Sequence, residues 1–140
     1  MSQTTKKVQR PLSPHLQVYK LPLTALMSIS HRATGASLII GTLLVAGFLI
    51  AAATSEQHYN FVMTVASSKI GLLVMFLWSF ALYFHMFNGI RHMFWDTGRF
   101  LEKGQAMRTN YIVLMCAVTA TAVTWGGRTL LALIFTGMGG

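Results

Sequence analysis

Residues 70–93, IGLLVMFLWSFALYFHMFNGIRHM, decide the fold. From Ile70 to Phe84 no side chain is charged. That is the chemistry of a helix in hydrocarbon, where about 20 apolar residues span the bilayer core. A second such run, ASLIIGTLLVAGFLIAAA at 36–53, lies upstream, with a more polar lead-in from Met27. A third covers 111–125 and continues through Gly126, Gly127 and Arg128 into TLLALIF. The reading is an all-α membrane protein of three transmembrane helices, over residues 30–53, 69–94 and 110–134.

Composition agrees. The 140 residues are 54% hydrophobic and 10% charged, with three acids, Glu56, Asp96 and Glu102. A disordered tail is excluded by this apolarity. A soluble domain would need about 25% charge to cover its surface. The single Cys116 sits in an apolar run, where packing is its expected role. One cysteine excludes an intrachain disulfide and any cysteine-built zinc or iron–sulfur site. A mostly polar stretch precedes the first apolar run, and nothing in it reads as a cleaved signal peptide.

The formal charge of +8 suggests nucleic acid until its placement is read. Lys6, Lys7, Arg10, Lys20 and Arg32 precede or open the first span, and Arg91, Arg99, Lys103 and Arg108 flank the second connection. Only Lys69 and Arg128 fall at the opposite ends. The positive-inside rule then puts the N-terminus and second connection in the cytoplasm and the C-terminus outside. The charge reflects orientation, and no nucleic-acid partner is expected. A bacterial inner membrane, with a periplasmic C-terminus, is the simplest address.

Ionisable groups at membrane depth are costly and usually functional. His85, Asn88, Gly89 and His92 lie on one stripe of the second span, with Asp96 a turn further. His92 is roughly 10 Å along the axis from His85, so His85 falls inside the apolar zone and His92 at its edge. His85, between Phe84 and Met86, has three readings: a hydrogen bond to another helix, a proton relay, or an axial haem ligand in water-excluded surroundings. Gly89 suits either a macrocycle lying near the backbone or close helix packing. Arg91 reads as a snorkelling anchor or as a cation for acidic groups such as propionates. Asp96 either hydrogen-bonds His92 or ends the helix, and Trp95 reads as an interfacial belt residue. At the same level, Ser28, His31 and Arg32 share a face at the start of the first span. Together they can bind a carbonyl oxygen or carboxylates, or they can simply cap and anchor the helix.

These clusters, in this order, resemble the cytochrome b anchor subunits of succinate:quinone oxidoreductases. The resemblance runs from Arg10-Pro11-Leu12-Ser13-Pro14-His15-Leu16 through Tyr19 and Ser28-x-x-His31-Arg32-x-Thr34-Gly35. It continues through His85-x-x-Asn88-Gly89-Ile90-Arg91-His92 to Trp95-Asp96-x-Gly98. It implies that His85 is the axial ligand of a haem b. Ser28 and Arg32 would line a ubiquinone pocket, and His31 and Arg32 would face the haem propionates. His92 would stand near the haem edge without ligating it. Residues 1–26 would form a cytoplasmic segment docking an iron–sulfur subunit, and 27–140 the three-helix anchor domain.

A bis-histidine haem needs two imidazoles at one depth, and His85 is the one convincing candidate; Met75 and Met86 are the other possible donors. The haem is therefore expected to be shared with a second small membrane subunit, each chain supplying half of the bundle. Flavoprotein and iron–sulfur subunits are expected as further partners, since this chain offers no flavin fold or cluster cysteines. The competing reading is a small proton-coupled transporter with a histidine relay. Transporters of that kind usually carry inverted repeats and interrupted helices, and neither is evident here.

Overall fold

The computed structural model describes residues 20–137, so Tyr19, the Arg10–Leu16 motif and most of the expected docking segment lie outside the described residues. Four helices follow one another: α1 Leu23–Thr54, α2 Glu56–Ser67, α3 Lys69–Asp96 and α4 Lys103–Gly137. There is no strand among the described residues. Helices α1, α3 and α4 are long and apolar enough to cross a membrane, as the three apolar runs require. All three extend beyond those runs. α4 passes unbroken through Gly126-Gly127 and takes in the TLLALIF segment. In lipid a helix is the one local way to satisfy every backbone group, which outweighs the weak helix propensity of two glycines.

The first connection contains a helix that periodicity over so short a segment does not reveal. Ser55 caps α2, its Oγ accepting from the His58 N–H at 3.2 Å, and Glu56 supplies a negative charge in the first turn. Ser68 caps α3 in the same way through the Gly71 N–H at 3.1 Å. The turn between them closes tightly: a Cβ on Gly71 would stand 2.3 Å from the Val65 carbonyl oxygen. At its far end α3 stops in a Schellman motif. Gly98, at φ 77°, donates to the Trp95 carbonyl at 2.8 Å, and Arg99 donates to Phe94 at 3.2 Å. The Trp-Asp-x-Gly sequence is thus a helix stop, and Asp96 is the last residue of the helix.

α3 is central, packed along both α1 and α4. Met27, Phe84, Val113 and Ala117 form the apolar core, flanked by Leu23, Phe80 and Leu114. The distribution is inverted relative to a soluble bundle. Asn88, Arg91, Asn110 and Thr121 are buried, while Ile39, Leu43, Ile70 and Phe135 are each about two-thirds exposed or more. Only a lipid solvent makes that arrangement favourable, with small residues and interhelical hydrogen bonds joining the helices. Gly41 illustrates the first device. The Trp78 indole lies over it so closely that a Cβ there would stand 1.9 Å from Nε1.

Candidate functional site

The α1–α3 crossing brings together two clusters that lie over fifty residues apart. His85 Nδ1 is 3.1 Å from the His31 carbonyl oxygen and 3.4 Å from Thr34 Oγ1. Gly35 makes this approach possible, because a Cβ there would fall 2.9 Å from His85 Cε1. The His31 ring stacks on His85, with centroids 4.0 Å apart and planes 14° apart, and it also stands 5.3 Å from His92. His92 meets Trp95 edge-on at 5.1 Å, and the Arg91 guanidinium lies 4.1 Å over the same indole.

The helical stripe read from the sequence is therefore real in this sense: His85 and His92 both face His31. What the spacing does not convey is that His31 contacts His85 directly. Its Nε2 is buried without a hydrogen-bond partner. Gly89 lies beneath it, with 3.8 Å between Nε2 and the position of a Cβ, an ordinary helix-packing distance. Ser28 is half-buried and Arg32 exposed at the same end of the bundle. Met75 and Met86, the other possible axial donors, are exposed. Among the described residues no three His, Cys, Asp or Glu side chains could hold a metal ion between them. An iron here would need most of its ligands from a macrocycle.

Arg91 departs from the snorkelling reading made of it. It is turned about 120° from His85 around the helix and points towards α4, only 4% exposed. It is not a snorkelling anchor. Its Nη1 donates to Asn110 Oδ1, whose amide in turn donates to Thr24 Oγ1 at 3.1 Å. This chain of polar contacts ties α3, α4 and α1 at one level. Asn110 and Thr24 escape sequence reasoning because a lone amide at the edge of an apolar run carries no motif. Its position just ahead of the Tyr111 run was the available signal. Asn88 is fully buried, and neither its Oδ1 nor its Nδ2 has a partner. Trp95 is half-buried between Arg91 and His92, with an unpartnered indole N–H, and so is no simple belt residue.

Residues 6–124 match the profile of the succinate dehydrogenase/fumarate reductase transmembrane subunit. The chain is 39% identical over 115 residues to the succinate dehydrogenase cytochrome b556 subunit of Paracoccus denitrificans, covering 82% of this chain and 88% of that one. It is 38% identical over 116 residues to the cytochrome b560 subunit of Marchantia polymorpha, covering 79% and 85%. With the mitochondrial cytochrome b560 subunit of Sus scrofa it shares 33% over 120 residues, covering 80% and 68%.

Proposed function

The chain belongs to the succinate dehydrogenase/fumarate reductase transmembrane subunit family, and from that premise we propose how its site works as the membrane-anchoring cytochrome b subunit of succinate dehydrogenase, in respiratory complex II. The transporter reading is not supported by these relatives and is set aside.

The observation that carries the cofactor assignment is His85. It is half-buried on an otherwise apolar segment, and both of its hydrogen bonds fall on Nδ1. The donor set fits a haem: one imidazole with Nε2 uncommitted, and a neighbouring His31 Nε2 buried without a partner. When bound, the haem supplies a one-electron carrier. His85, whose hydrogen bonds fall on Nδ1, would hold the iron through Nε2. His31, Arg32 and His92 would receive the acidic groups of the haem, and Arg91 would add its positive charge. A second membrane subunit would supply the other imidazole. His31 cannot serve as placed, because two rings in face-to-face contact leave no room for a metal between them.

Ubiquinone would be reduced at the end of the bundle where Ser28 and Arg32 stand. Ser28 donates a hydrogen bond to a quinone carbonyl, and the guanidinium of Arg32 stabilises negative charge developing on the quinone oxygens. Electrons arrive from succinate through a flavoprotein subunit and an iron–sulfur subunit that docks on residues 1–26. The clustered cations support a cytoplasmic N-terminus and periplasmic C-terminus in a bacterial inner membrane.

Reduced-minus-oxidised spectra of membranes carrying the assembled complex test the assignment. A b-type band lost in His85→Ala and kept in His92→Ala is expected. Retention in the first variant, or loss in the second with the complex intact, overturns it.

A further inference from the structure

We infer that the backbone of α1 selects the tautomer of His85, with Thr34 and Gly35 as the positioning residues that make this possible. The inference rests on the proposal that His85 ligates haem iron.

Two oxygen atoms stand around Nδ1. The His31 carbonyl oxygen, 3.1 Å away, is an acceptor only. Thr34 Oγ1, 3.4 Å away, has one hydrogen. That hydrogen points back along its own helix, where the Ser30 and His31 carbonyl oxygens lie at 2.8 and 3.0 Å. The hydroxyl therefore also faces His85 as an acceptor. Two acceptors converge on one ring nitrogen, so Nδ1 carries the proton and Nε2 carries the free lone pair. The tautomer is set before any metal arrives. The hydrogen bond also makes the imidazole a stronger electron donor to whatever Nε2 binds.

Gly35 is the spatial condition. The ring reaches the α1 carbonyl because no side chain intervenes, and the first carbon of one would stand 2.9 Å from Cε1. An alanine there must push the ring outward, lengthening the Nδ1 bond. Thr34 and Gly35 touch no iron and no quinone in this account. They act through His85.

The test uses the purified whole complex with its haem, read by redox titration of the b band and by low-temperature electron paramagnetic resonance. Gly35→Ala is expected to raise the haem midpoint potential and to shift the low-spin g-values, since a weaker donor stabilises the ferric state less. Thr34→Val, and equally Thr34→Ala, are expected to raise the potential by a smaller step, and Thr34→Ser to restore it. Should Gly35→Ala fail to assemble, the Thr34 series decides. Wild-type potential and g-values in Thr34→Val and Thr34→Ala overturn the inference, as does a Thr34→Ser complex that behaves like Thr34→Val. His85→Ala separates the two levels. A b band that survives it overturns the ligand assignment and this inference together. An unmoved potential in the Thr34 and Gly35 variants, with the band lost in His85→Ala, overturns this inference alone.

Discussion

The two ends of the bundle are held together by different chemistry. At the histidine end the helices are joined by polar groups: Arg91 to Asn110, Asn110 to Thr24, and His85 to the α1 backbone. Several polar atoms there are left over, among them Asn88 Nδ2, His31 Nε2 and two nitrogens of Arg91. At the other end the joints are mostly shape. Trp78 rides over Gly41, Phe76 meets Trp125 edge-on at 5.5 Å, and two side-chain hydrogen bonds join α3 to α4, Tyr83 with Thr124 at 2.7 Å and Trp125 Nε1 to Ser79 Oγ at 3.4 Å. The surplus of buried polar groups at one end costs stability unless something else satisfies it. A cofactor, a quinone and the neighbouring subunits are what the proposed function brings to that end, whereas at the far end the indole N–H of Trp78 is the one buried side-chain group among the described residues without a partner.

The sharpest way to break this comparison is Asn110→Leu. It leaves the Arg91 guanidinium buried without its acceptor, and a loss of about 1.5–3 kcal/mol is expected. This should appear as a large fall in the thermal midpoint of the purified complex. Arg91→Met combined with Asn110→Leu should recover most of it, because an apolar pair replaces a broken polar one. No recovery would mean that Arg91 is held by contacts other than Asn110. Gly41→Ala probes the other end. Displacing the Trp78 indole should cost about 1–3 kcal/mol of overpacking, with the b band unchanged in position. A shifted band would show that the two ends are coupled after all.

Arg32→Leu sharpens the functional side of the contrast. Quinone reduction should fall roughly tenfold, about 1.4 kcal/mol in barrier, while succinate oxidation with an artificial dye persists. Arg32→Lys should not restore it if the planar guanidinium is needed. Full activity in Arg32→Lys would reduce the residue to an anchor. The smallest change is expected from Tyr83→Phe, which removes one hydrogen bond to Thr124 and should cost about 0.5–1.5 kcal/mol without touching either redox readout.

The one-dimensional pattern was sufficient for the spans, because lipid admits few solutions and an apolar run must become a helix there. It also sufficed to pick out His85, since an imidazole amid Phe84, Met86 and Phe87 needs a reason. The Trp-Asp-x-Gly stop, read as one of two roles for Asp96, became decidable from the positive φ of Gly98. α2 was not legible, because its caps are two serines among many and its length is only 12 residues.

What only the tertiary structure decided is which polar groups meet. Sequence spacing describes a single helix, so it could place His85 and His92 on one stripe and Ser28, His31 and Arg32 on another. The rotation and depth of α1 against α3 are set by Gly35, Gly41 and Trp78, whose contacts lie across the crossing. That packing put His31 onto His85, and the α3–α4 contact turned Arg91 inward to Asn110. The residue types were determined along the chain, and their partners were determined by how closely three helices can approach where glycine removes a side chain.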